Sequence, residues 1–210
     1  MQPFTAQDHA VIADAISRAE RQTSGEIVVV VARASSRYRY FSLMCVALLA
    51  LVVPLPLIHF TKWPIEYVYL LQLGVFGLGA LLMQWELLRI AITPASVKRT
   101  RAHQRAVEQF LVQNLHTTKG RTGVLIYVSD AERYAEVIAD DGIYQKVTPQ
   151  VWDALIAALT ANIRSGNRTE GFVAAIETCG AILAEHFPPE AFDHDELPNH
   201  LIVLDAAEPA

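Results

Sequence analysis

Cysteine is almost absent: the 210 residues hold two. Cys45 lies inside a long apolar run and Cys179 in an apolar helical pattern, so no disulfide framework is available. Each reads as a small buried hydrophobe, without a metal or redox role. A Gly-rich phosphate loop is missing, and no Cys-x5-Arg segment surrounds either cysteine, so neither P-loop nor cysteine-phosphatase chemistry has its residues. Nor do the seven histidines cluster. His103 and His116 stand too far apart on one expected helix for a shared ligand face, and His194 belongs to a run with Asp193, Asp195 and Glu196 that reads as a solvated acidic tail rather than a chelator. Internal repeats and low-complexity segments are absent.

Charge is missing from two long stretches, and that absence sets the class of protein. Residues 41–58 (FSLMCVALLALVVPLPLI) and 67–85 (YVYLLQLGVFGLGALLMQW) contain no Asp, Glu, Lys or Arg. About 20 largely apolar residues suffice for a helix to cross the roughly 30 Å hydrocarbon core of a bilayer. The two runs therefore read as a transmembrane helical hairpin, occupying residues 37–92 with its flanks. They begin too far into the chain for a secretory signal. Pro54 and Pro56 predict an irregular exit near Val53, and Gly74, Gly77 and Gly79 are residues that let membrane helices approach closely. Self-association through the Gly74/Gly77 face is one expectation. With no ionisable residue inside either span, a transport path is disfavoured.

Arg33, Arg37 and Arg39 precede the first run, and Arg89, Lys98, Arg99, Arg101 and Arg105 follow the second; the connecting loop carries only Lys62. Short cytoplasmic flanks are enriched in such residues. This predicts a bacterial-type inner or plasma membrane protein with both termini and the soluble part in the cytoplasm.

The hairpin interrupts a soluble pattern. Residues 1–36 offer one helix, opened by a capping box at Thr5 and Asp8, and one buried strand, EIVVVVA, at 26–32. Two elements cannot make a core, so the partner must be residues 93–188. There the sequence predicts a helix over about 97–115 with Val107, Phe110, Leu111 and Leu115 on one face, and strands at 124–128 and 134–139. Two closing helices follow, one begun by Thr148-Pro149 and one stopped by Pro188-Pro189. The expected fold class is α/β, a small sandwich of a few-stranded sheet covered by about four helices, with the hairpin inserted. Residues 189–210 form an acidic tail whose patch Leu201-Ile202-Val203-Leu204 reads as a weakly held arm, with edge pairing or groove docking as alternatives.

SGEIVVVVA at 24–32, GVLIYVSDAERYAEVIADDGI at 123–143 and RSGNRTEGFVAAIETCGAIL at 164–183, in this order of elements, resemble the TPM-domain family, in particular the bacterial branch in which two spans interrupt the domain. The resemblance covers nearly all of the soluble part, through apolar and glycine patterns rather than catalytic signatures. It implies service to a membrane complex: members include chloroplast proteins linked to photosystem II repair and auxiliary proteins of acetylcholine receptors. Acid phosphatase activity and calcium binding are also attributed to members.

Asp140 and Asp141 are the candidate metal-binding residues. Adjacent carboxylates at a strand end, before a glycine, supply hard oxygen ligands for Ca²⁺ or Mg²⁺; the alternative is ordinary Asp-Asp-Gly turn chemistry. Asp130 ends the neighbouring strand, where antiparallel pairing keeps it away, and the distance of Glu26 depends on strand order. Residues 89–121 hold seven basic residues against Glu108 alone, while 122–210 hold fifteen acids against four bases. The basic part suits anionic lipid, and the acidic part disfavours nucleic acid. The expected partners are the bilayer and other membrane proteins. The functional expectation is a non-catalytic accessory factor for assembly or maintenance of a membrane complex, with a metal-dependent phosphatase as the alternative.

Overall fold

The computed structural model describes residues 4–189, 197 and 199–205; the run at 193–196 lies outside them. Along the chain come α1 (Ala6–Glu20), β1 (Glu26–Ala32), α2 (Arg39–Val52), α3 (Pro54–Phe60), α4 (Ile65–Leu82), α5 (Glu86–Ile92) and α6 (Ala95–Val112). A 3-10 turn at Leu115–Thr117 leads to β2 (Gly123–Ser129) and β3 (Tyr134–Ala139). Then follow α7 (Asp141–Tyr144), α8 (Pro149–Arg164), α9 (Arg168–His186) and β4 (Leu201–Leu204). The chain divides into two compact units, one drawing on residues up to Ser35 and from Thr100 onward, the other on Ser36–Arg99.

The first unit is an α/β sandwich. Its sheet runs β3-β2-β1-β4, with β1 parallel to both β2 and β4, and β3 antiparallel to β2. Every residue of β1 and β2 is buried, as central strands without polar alternation require. Ile27, Val29, Val31, Val124, Ile126 and Val128 point to one face and pack with α1, α8 and α9 through Ile12, Ile16, Trp152, Leu155, Phe172 and Ile176. Val28, Val30, Leu125 and Tyr127 point to the other, against Ala106, Phe110 and Leu115. At α1 the capping box forms in full: the Asp8 N–H donates to Thr5 Oγ1 at 3.2 Å, and the Thr5 N–H to Asp8 Oδ2 at 2.8 Å.

Two expectations change. The buried face of α6 is Ala102, Ala106, Gln109 and Phe110, while Val107 and Leu111 are 38% and 51% exposed. Ala106 and Phe110 pack with Val28, Val30, Leu125 and Tyr127, and that contact sets the inward face. The terminal patch is no loose arm. Val29 to Ala32 pair in register with Leu201 to Leu204, and Leu201 is buried. The backbone edge of β1 would otherwise be open, and an apolar tetrapeptide satisfies it.

The second unit holds α2 to α5. Arg39–Phe60 and Ile65–Leu82 are 22 and 18 residues long and apolar enough to cross a membrane, with 17% and 6% of their most apolar windows buried. The first is interrupted at Val53, which closes α2 and opens α3. Pro54 and Pro56 follow, each without an N–H for the helical ladder. Within the pair, Gly79 makes the closest approach: a Cβ there would stand 2.6 Å from Val46 Cγ1.

Candidate functional site

The acidic pair sits where β3 ends against the start of β2. The Asp140 N–H donates to Gly123 O at 2.9 Å, extending the ladder by one residue. The Asp140 carboxylate then caps α7, Oδ1 accepting the Asp141 N–H at 2.7 Å. Instead of the expected turn, Asp-Asp-Gly opens a one-turn helix. Gly142 is required by packing, since a Cβ would stand 2.7 Å from Arg121 O and 2.8 Å from Gly120 O.

That packing brings in a residue the sequence did not single out. Arg121, held at φ 53°, donates from Nη2 to Asp140 Oδ1 at 2.9 Å and to Asp141 Oδ2 at 3.0 Å. The hydrogen bond to Asp140 and then its charge raise the guanidinium above its ordinary pKa. Asp140 is only 4% exposed, whereas the Asp141 side chain is 78% exposed. Asp140 Oδ2 is buried and accepts no hydrogen bond, an arrangement that costs on the order of 1–3 kcal/mol where nothing compensates it. The site thus has one buried carboxylate with an unused oxygen, one exposed carboxylate, and an arginine bridging them.

Strand order settles the other acids. Glu26 pairs with Gly123, and Gly123 with Asp140, so Glu26 lies at the same end of the sheet with β2 in between. At the spacing of adjacent strands this puts the backbones of Glu26 and Asp140 about 10 Å apart. Asp130 is at the far end of the β2–β3 ladder, where Ser129 pairs with Tyr134. It is bound by Arg168 Nη2 at 2.9 and 3.0 Å, and that guanidinium lies 4.3 Å over the Phe4 ring. Burial pushes the Asp130 carboxyl up, with Arg168 opposing. Among the described residues, no three His, Cys, Asp or Glu side chains group as a metal site. The two aspartates would give a hard cation two of the six or more oxygens it takes, the unused Asp140 oxygen included, and Arg121 now holds their inner side.

A second polar cluster was not legible in the sequence. At the carboxyl ends of β1 and β2, Ser35 Oγ hydrogen-bonds Tyr127 Oη at 2.9 Å and donates to Ser129 Oγ at 2.8 Å. Ser129 donates to Glu132, whose carboxylate also accepts the Ser35 N–H at 3.1 Å. Burial raises the pKa of the Tyr127 phenol. Ser129 is fully buried, so no substrate reaches its hydroxyl. The cluster ties the β2–β3 turn to the exit of β1. Its only sequence trace is a tyrosine inside an aliphatic strand.

Fold and site together define a class: a mixed α/β domain interrupted by two long apolar helices, with an arginine-bridged acidic pair at one sheet end. The family model described as TPM domain matches residues 88–182. Among solved structures, the NMR structure of BA42 protein from the psychrophilic bacterium Bizionia argentinensis is similar in fold. It has a TM-score of 0.60 and 24% identity, and the match covers 96% of either chain. No curated protein matches the chain.

Proposed function

We propose that this chain is a membrane-anchored TPM-domain protein serving, without catalysis of its own, as an accessory factor in assembly or maintenance of a membrane protein complex. The observation that carries this reading is the bareness of its apolar helices. Leu48, Leu51, Leu55, Leu70, Leu78 and Leu81 are each more than half exposed. A core helix of a soluble protein would be covered; apolar surface on this scale calls for a bilayer or a membrane partner. Basic flanks orient the termini and the α/β unit toward the cytoplasm. A Cβ on Gly74 or Gly77 would meet nothing within 4 Å, which leaves that face for a second copy or another membrane helix. The test uses full-length protein. It should resist carbonate extraction, keep both terminal tags from external protease in intact cells, and co-purify with one membrane complex after crosslinking. That association should be lost when residues 100–205 are removed. Release by carbonate would overturn the anchoring, and unchanged association without residues 100–205 would overturn the role of the domain.

The unused Asp140 oxygen favours a second reading, a metal-dependent phosphatase. Asp140 and Asp141 would hold Ca²⁺ or Mg²⁺, which when bound supplies charge for a phosphoryl oxygen and activates water. Arg121 stands where a guanidinium can pair with phosphate oxygens. This reading requires phosphomonoester hydrolysis that depends on added metal and is abolished in Asp141→Asn; the accessory reading requires no turnover above background.

A further inference from the structure

The antiparallel helices α2 and α4 bring the first residue of one beside the last turn of the other. A cavity of about 410 Å³ opens there, lined by Arg39, Leu43, Ala80, Met83, Gln84 and Arg89. Its chemistry is layered. Arg39, Gln84 and Arg89 lie at the chain ends of the hairpin, while Leu43 and Ala80 lie one helical turn further along α2 and α4. The contact of Gly79 with Val46 closes the two helices together just beyond. Among the described residues neither guanidinium makes an ion pair, and the Nε of Arg89 is buried without a hydrogen-bond partner. Two cations drawn to one cavity repel each other unless an anion joins them.

We propose that this cavity binds the phosphate of an anionic phospholipid. Arg39 and Arg89 pair with the phosphate oxygens, the Gln84 amide donates to the headgroup, and the first acyl methylenes lie on Leu43, Ala80 and Met83. Arginine suits this role because its planar fork matches phosphate geometry. Leu43, Ala80 and Met83 offer acyl methylenes a surface beside the polar groups, which a free phosphate would leave unused. The inference rests on the membrane-anchored reading, in which the basic end of the hairpin faces the leaflet rich in anionic lipid.

The experiment counts lipid retained by full-length protein. Protein from nanodiscs of phosphatidylcholine with graded phosphatidylglycerol is released into mild detergent and examined by native mass spectrometry. Arg39→Gln with Arg89→Gln should weaken phosphatidylglycerol retention by about tenfold or more, as expected for losing charge-assisted hydrogen bonds. Arg37→Gln, which removes charge outside the cavity, should change it less than about twofold. Ala80→Trp fills the cavity, keeps both arginines, and should lose the lipid as the double variant does. Equal effects of Arg37→Gln and the double variant, or full retention in Ala80→Trp, would overturn the site. Release of bound lipid by millimolar glycerol phosphate would make it a free-phosphate site, again overturning the proposal. Carbonate extraction of the same proteins separates the two readings: wild type that leaves the membrane fails the anchoring, whereas wild type that stays with unselective lipid counts fails only this site.

Discussion

At the residue scale, Gly142 and Asp130 make the sharpest predictions. Gly142→Ala forces a methyl into the Gly120 and Arg121 carbonyls. It should cost roughly 1–3 kcal/mol by overpacking and free Arg121 from Asp140, read as a lowered unfolding midpoint and a shifted Arg121 side-chain resonance. Asp130 predicts a pH dependence. Burial raises its folded pKa above the ordinary carboxylate value, despite Arg168. The folded state therefore holds that proton more tightly, and this contribution to stability is complete below the unfolded pKa near 3.8 and lost as pH rises through the folded value. Asp8 runs the other way. Hydrogen bonds from Thr5 lower its pKa, so its contribution is present above the unfolded pKa and lost as pH falls through the folded one. Unfolding midpoints collected from acid to neutral pH should lose their Asp130 slope in Asp130→Asn and keep their Asp8 slope. A profile identical to wild type would remove Asp130 from the account.

At the element scale, β4 is the test of what closes the sheet. Leu201 is buried on the edge of β1, whereas Val203 is 49% exposed. Leu201→Ala should cost about 2–5 kcal/mol, and Val203→Ala should stay within about 0.5 kcal/mol, measured by chemical unfolding of the full chain in detergent. Equal small effects would mean that β4 contributes little to the unit. Much of the element plan was legible beforehand. The bounds of β1 and β3 follow from β-branched runs and polar breaks, and the start of α1 from Thr5 and Asp8, all local signals. The inward face of α6 was not, because Ala102 and Ala106 carry too little hydrophobicity to mark it against Val107 and Leu111. Nor was β4, since four apolar residues in an acidic tail give no sign of a partner edge more than 160 residues earlier.

At the scale of the whole molecule, the contiguous Ser36–Arg99 segment interrupts an α/β unit with its own two-sided core. A chain in which residue 35 is joined to residue 100 by a short flexible linker should therefore fold without detergent, giving dispersed amide resonances and the unfolding cooperativity of one domain. An unfolded product would mean that the apolar helices are needed for the core itself. The same protein allows Ca²⁺ and Mg²⁺ to be titrated in water, with amides near Asp140 as the readout and Asp141→Asn as the control.

The sequence by itself determined the two apolar spans, the buried strands, the caps and the class of fold, because periodicity, proline placement and the absence of charge act over a few neighbouring residues. Tertiary structure alone decided that Arg121 bridges Asp140 and Asp141, that β2 separates Glu26 from Asp140, that Ser35, Tyr127, Ser129 and Glu132 share hydrogen bonds, and that Arg39 and Arg89 line one cavity. Each of these depends on strand order or helix pairing. Apart from the Ser129–Glu132 bond, three positions long, the hydrogen bonds among them join residues nineteen to ninety-seven positions apart, and no local pattern encodes which distant side chain arrives.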